Sequence, residues 1–204
     1  MDRRTFLATA ALSAAGTAAT RMSRAAASKT FVLVHGAWHG GWCWSKVAST
    51  LRGRGHTVVT PTQTGLGEHA VILENGQSVF SQLPKDVVEA RTKAAQETSG
   101  GLSIPAPAPA AFGITDAAQT QFVQSRFTPH PFNTFVSPLK LANKVGNGLP
   151  TTYIICADPI YKPLEASRTW IKAAGWKTSE IRCGHDAMVI APDQLADMLD
   201  GDSA

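Results

Sequence analysis

His185 and Asp158 are the residues whose types and placement could do proton chemistry. Each stands just beyond a short run rich in β-branched residues: Asp158 after Thr151 to Cys156, and His185 after Ser179 to Cys183 in Gly184-His185-Asp186-Ala187-Met188. If the two runs are parallel strands joined by a helix over Leu164 to Ala174, the loops that follow them meet at one edge of the sheet. A carboxylate on one imidazole nitrogen sets the tautomer, and the other nitrogen can then accept a proton from an attacking group. The pattern therefore predicts His185 as a general base and Asp158 as its orienting partner. Asp186 competes for that role, although a sequence neighbour usually points away, and an aspartate before Pro159 also suits a solvated turn.

A second constellation lies near the start, in Phe31 to Trp44, FVLVHGAWHGGWCW. Phe31, Val32, Leu33 and Val34 are too few for a buried helix and read as an interior strand. Gly36, Gly40 and Gly41 let the backbone turn closely, and Ser45 to Arg52 reads as a helix. This is the opening of a βα unit, with its loop where open α/β sheets place ligands. HGAWHGGWCW followed by VASTLRGRGHTVVTPTQTGLGE resembles the amino-terminal third of an α/β-hydrolase. The branch resembled holds small-ester carboxylesterases, plant methyl-ester esterases and hydroxynitrile lyases.

That resemblance implies an α/β fold, three-layered around a mostly parallel sheet, with a small helical cap over approximately 83–141. It implies an oxyanion hole at Gly36 and Ala37, whose backbone N–H groups point at a developing negative oxygen, with His35 orienting the turn. It implies a triad in chain order serine, acid, histidine, of which Asp158 and His185 match the last two. The activity implied is hydrolysis of a small carboxylic ester through an acyl-enzyme, with an apolar ester or carboxylic acid as ligand.

The resemblance breaks after Gly65-Leu66-Gly67-Glu68. The family next supplies a strand ending in Gly-x-Ser-x-Gly, the elbow of the nucleophilic serine, and no such motif occurs in the 204 residues. His69 to Glu74 runs straight into Asn75-Gly76-Gln77-Ser78, which resembles what the family places at the cap entry. A deletion with its junction near Glu68 to Leu73 accounts for this. Ser78, Ser81 and Cys43 are possible substitutes, but the nucleophile is unassigned. The elbow strand is central to the family's sheet, so either Ala70 to Leu73 fills its slot or the fold is marginal, because unpaired interior backbone groups cost about 1–3 kcal/mol each. Two further readings stay open: a binding protein that has lost the chemistry, and a deletion product with no function.

The remaining features bound the problem. Arg3-Arg4 ahead of the Ala-rich Phe6 to Ala19, with small residues at Ala25 to Ala27, reads as a twin-arginine export signal over 1–27, implying a periplasmic or secreted protein. Phe6 to Ala19 is too short and too Ala-rich to span a membrane. Its removal would take the net charge from +4 to +1, since Arg3, Arg4, Arg21 and Arg24 leave with Asp2, and about 177 residues would remain, enough for one domain. No basic stripe then supports a nucleic-acid partner. Helical patterns at Leu83 to Gln96 and Ala117 to Arg126 flank Pro105, Pro107 and Pro109, which read as an extended linker. Cys43, Cys156 and Cys183 lack metal-like spacing, and a Cys156–Cys183 disulfide is conceivable. Neither a metal nor a cofactor is implied, and oligomeric state leaves no mark.

Overall fold

The computed structural model describes residues 27–62 and 71–201. The expected export signal falls almost wholly outside the described residues, as do Gly65 to Ala70 at the expected junction. β1 (Thr30–Val32) leads through a turn and a short 3₁₀ segment, Gly41–Trp44, into α1 (Ser45–Gly53) and β2 (Thr57–Val59). β1 and β2 pair in parallel, Phe31 against Val58 and Val32 against Val59. The strand is shorter than the apolar run, though the ladder reaches one residue further through the Leu33 N–H donating to the Val59 carbonyl at 2.8 Å.

The second half repeats the unit. Between the halves lie α2 (Lys85–Ser99), β3 (Ser103–Ile104), α3 (Ala117–Gln124), β4 (His130–Pro131) and α4 (Asn133–Val136), with β3 and β4 pairing antiparallel. β5 (Thr152–Cys156), α5 (Glu165–Ala174) and β6 (Lys177–Ile181) then form a parallel pair in five-residue register, followed by α6 (Ala187–Ile190) and α7 (Pro192–Gly201). The prolines expected to form a plain linker instead follow β3, and Pro109 opens a 3₁₀ turn, Pro109–Phe112, closed by Gly113 at φ 84°. A proline fits the first position of such a turn because its missing N–H has no partner there anyway.

The two parallel pairs are separate two-stranded sheets among the described residues. Val71 to Leu73 does not join either as a strand; the Ile72 N–H donates to Ser167 Oγ on α5 at 2.9 Å. What unites the halves is a shared core: Leu33, Val47, Leu51 and Val58 pack with Ile181, Cys183, Leu195 and Ala196. Val47 and Leu51, one turn apart on α1, are fully buried, each stabilising the fold by roughly 1.5–3 kcal/mol. Val32 and Val59, on the opposite face of the β1–β2 pair, are 61% and 49% exposed, so helices cover that pair on one face only.

Polar contacts reinforce the union of α1 and α7. Thr50 Oγ1 donates to Asp193 at 2.8 Å and Arg54 pairs with Asp197. The Lys29 N–H donates to His56 Nδ1, which leaves the proton on Nε2, facing Asp200 at 3.1 Å. The hydrogen bond from Lys29 and the close approach of His56 hold the Asp200 carboxyl below its ordinary range.

A second core surrounds Trp38, whose backbone is left-handed at φ 63°. That conformation costs a non-glycine residue of order 1–3 kcal/mol. It drives the indole into Phe112 and Phe135, at centroid distances of 5.9 and 5.8 Å, while Nε1–H donates to the Ile104 carbonyl at 3.1 Å. The turn after β1 is thereby pinned to the segment between the halves.

Candidate active site

The cavity of about 260 Å³ next to His185 is lined by His185, Gly36 and Ala37 of the residues singled out from the sequence, but not by Asp158, and it adds others. Gly36 and Ala37 line it from the turn after β1, Tyr153 to Cys156 from β5, Tyr161 and Arg168 from the β5–α5 connection and α5, and His185 and Asp186 from the loop after β6. Apart from His39 its remaining walls are apolar, with Trp44, Phe112, Leu195 and Leu199 among them. A side chain grown from Gly36 would meet no atom within 4 Å, so the backbone there is open to the cavity. Gly41 is different: a Cβ would lie 2.2 Å from the Thr60 carbonyl oxygen, so only glycine lets the turn cross the end of β2. His35 is buried, with Nδ1 2.9 Å from the Gly36 carbonyl within the turn.

His185 is held by stacking. Its ring lies on Tyr161 at 4.4 Å between centroids and 14° between planes, with Phe112 at 6.0 Å. Tyr161 is in turn anchored at both ends: its hydroxyl accepts from Arg91 at 3.2 Å and its carbonyl from Arg168 at 3.1 Å. Burial pushes the imidazole below its ordinary pKa, and the charges of His39 and Arg168 add to this against the opposing pull of Asp186. At neutral pH the ring is uncharged, the form a general base needs.

Asp158 is exposed, in the turn whose Asp158–Pro159 bond is cis. Its N–H donates to the Cys183 carbonyl at 3.3 Å, which brings its loop alongside that of His185, but its carboxylate has no hydrogen bond to the ring among the described residues. The buried carboxylate is Asp186, 1% exposed, and its partner is His39, Nε2 to Oδ2 at 3.0 Å. His39 Nδ1 lies 2.7 Å from the Ala37 carbonyl, so one imidazole ties the turn after β1 to the loop of His185. Burial pulls the His39 pKa down, but the hydrogen bond and charge of Asp186, with the Ala37 carbonyl, outweigh it and raise the pKa above the ordinary value. Neither this link nor the Tyr161 stack is read from the sequence, where His39 four residues after His35 and Asp186 beside His185 are the only signals of it.

The substitute nucleophiles are dispersed. Ser78 and Ser81 bond to each other, Ser81 Oγ donating to the Ser78 carbonyl at 2.7 Å, and neither lines the cavity. Cys43 is buried and burial raises its pKa further. Cys156 lines the cavity with its thiol 3.6 Å from the His185 carbonyl, but burial pushes it up to about 12, which leaves almost no thiolate at neutral pH. All three cysteines are free thiols. No group of three metal-ligating side chains occurs among the described residues, and no helix among them is long and apolar enough to cross a membrane.

The loop of His185 is packed without slack. A Cβ on Gly184 would lie 2.5 Å from the Phe112 carbonyl oxygen and 2.7 Å from Gly113 Cα. Gly184→Ala is expected to cost about 1–3 kcal/mol through overpacking, read as a lower urea midpoint at unchanged m.

No family model matches the chain. The carbendazim hydrolyzing esterase of Nocardioides sp. (strain SG-4G) is 29% identical over 237 aligned positions, covering 83% of this chain and 97% of that protein. Since 83% of 204 residues is about 169, about 68 of those positions face no residue here, so that relative carries sequence that this chain lacks. Methylesterase 18 of Arabidopsis thaliana is 54% identical over 37 residues, only 18% of this chain and 14% of its own length. Among solved structures, an extracellular α/β-hydrolase from a Paenibacillus species, described as sharing structural and functional homology with tobacco salicylic acid binding protein 2, superposes with a TM-score of 0.70. It is 21% identical, over 84% of this chain and 98% of that one. With the βα unit, the paired second half and the histidine loop in their places, the chain has an incomplete α/β-hydrolase fold and is similar to methylesterase-type members of that family, and its sequence holds no Gly-x-Ser-x-Gly.

Proposed function

We propose that the chain is an esterase for small apolar carboxylic esters that works without an acyl-enzyme. The observation that carries this reading is an uncharged, partly buried His185 on the same apolar cavity as the open backbone at Gly36 and Ala37. An ester carbonyl placed between them would accept hydrogen bonds from the turn's N–H groups, and a water would attack its carbon while His185 takes the water's proton. The tetrahedral intermediate then expels the alcohol, which leaves with that proton. The acid product stays in the cavity until released. Rates would be modest, since sites stripped of a triad member retain roughly 10³–10⁴-fold over water. Asp158 would steady His185 only from an exposed position, and the Tyr161 stack supplies most of the ring's orientation.

The segment from Leu83 to Leu141 serves in this reading as the cap, and its Phe112 closes the cavity. Export through the twin-arginine route is supported by Arg3-Arg4 and the Ala-rich stretch after them. A second reading, ligand binding without turnover, is favoured by the missing hydrogen bond between Asp158 and His185.

Incubation of the purified chain with a fluorophosphonate is expected to leave its intact mass unchanged while short p-nitrophenyl esters are still hydrolysed. A stoichiometric adduct on Ser78 or another serine would replace the water mechanism with a relocated nucleophile. No hydrolysis, with saturable binding of the same esters, would establish the second reading.

A further inference from the structure

Arg168 gives the cavity a feature that neither hydrolysis nor binding of a neutral ester uses. It projects from the first turn of α5 into the lining, with its side chain 15% exposed. Nη1–H donates to the Tyr161 carbonyl at 3.1 Å and Nη2–H to Glu165 Oε2 at 2.5 Å. A guanidinium has five N–H donors. Three remain without a partner among the described residues.

The charges around it do not cancel inside the cavity. Glu165 is 75% exposed, so water screens its carboxylate, whereas the guanidinium faces apolar walls. Asp186, the carboxylate of the lining, is taken by His39. The field of Arg168 is felt at both His185 and Tyr153, on two other elements of the same lining. A cation with spare donors in a fixed fork, set in an apolar wall, matches a carboxylate held by two parallel hydrogen bonds.

We infer that Arg168 is a carboxylate subsite, so that the preferred ligand is an apolar ester carrying a second, free carboxylate, a monoester of a short dicarboxylic acid. The inference rests on the ester pocket proposed above and names its substrate class. The ester carbonyl sits between His185 and the Gly36–Ala37 turn, and the free carboxylate reaches Arg168. A cavity of about 260 Å³, below the roughly 300–1,000 Å³ of pockets for drug-sized ligands, selects short chains.

The test compares monomethyl adipate with dimethyl adipate, followed by quenching of Trp38 and Trp44, which both line the cavity. At pH 7 the monoester is expected to bind the full chain at least about tenfold more tightly than the diester. This preference should vanish as pH falls through the ligand's own carboxyl pKa, at about 4–5. Arg168→Gln should lose about tenfold more for the monoester than for the diester, and Arg168→Lys should recover part of the difference. A role limited to propping Tyr161 would weaken both esters equally in Arg168→Gln and show no preference in the wild-type chain. Equal wild-type affinities at pH 7 overturn the subsite and leave the ester pocket standing, and failure of both esters to bind overturns both.

Discussion

The Asp186→Ala variant is expected to lose about 3–5 kcal/mol of stability, out of a total of roughly 5–15 kcal/mol for a domain of this kind. The carboxylate is 1% exposed and its partner His39 8%, so neither can turn to water when the other is removed. Burial is tolerated because each group satisfies the other: His39 bridges the Ala37 carbonyl and Asp186, and the rings of Trp42 and Phe127 enclose it at 5.4 and 4.9 Å. Truncation strands an imidazole nitrogen in an aromatic box. Urea unfolding measures the loss directly. A loss under about 1 kcal/mol would show that water reaches His39 and that the pair is not the link described.

The same variant carries a pH signature. The folded-state pKa of His39 is raised, so its contribution is fully present below the unfolded value of about 6.5 and is lost as pH rises through the raised value. That of His185 is lowered, so its contribution is present above about 6.5 and is lost as pH falls through the lowered value. The wild-type stability curve should therefore bend down on both sides of a window around pH 6.5. In Asp186→Ala the alkaline limb due to His39 should disappear while the acid limb remains.

The second large effect concerns turnover. His185→Ala is expected to lower ester hydrolysis by about 10²–10⁴-fold, the usual worth of a positioned general base. Because the imidazole must be neutral to accept a proton, wild-type activity should rise with pH to a plateau, with its midpoint below 6.5, and this rise should be absent from the variant. Asp158→Asn is expected to change the rate by no more than about threefold, since an exposed carboxylate with no bond to the ring stabilises an imidazolium weakly. If Asp158→Asn fell as far as His185→Ala, Asp158 would have to swing onto the ring when ligand binds.

The first βα unit is legible in the order of its amino acids, because Phe31 to Val34, three glycines and an amphipathic α1 each specify their own local geometry. The same holds for β5, α5 and α7, whose apolar spacing matches their periods. α2 stops at Ser99 because Gly100 takes the left-handed conformation, φ 62°, that glycine readily adopts. β3 and β4 are not legible in this way. Two residues each, next to prolines, carry no periodicity, and their pairing depends on Trp38 docking against Ile104 from 66 residues away. The site divides along the same line. The positions of His185, Gly36 and Ala37 follow from motifs at strand ends, whereas the His39–Asp186 bond joins residues 147 apart and the Tyr161 stack depends on how the β5–α5 connection folds back. Such contacts are properties of the assembled core, which no local rule encodes. The gap left by the missing elbow is also closed in a way the residue pattern does not foretell: Val71 to Leu73 does not refill the slot, and the two parallel pairs are joined through α1 and α7 instead.

That joining of α1 to α7 bears on how the protein is made. The helix that closes over the first βα unit lies far down the chain, with Thr50 to Asp193 and Arg54 to Asp197 each spanning 143 residues and Lys29 to Asp200 spanning 171. On the ribosome the α1 face with Val47 and Leu51 is complete early, yet beyond Leu33 and Val58 of its own unit it has no core partner until the last third of the chain emerges. Loop closure over such a distance is slow, and the nascent chain would display that apolar face throughout most of its synthesis. Shortening α7 is then expected to deplete soluble product more sharply than an equal truncation elsewhere, because it leaves that face uncovered.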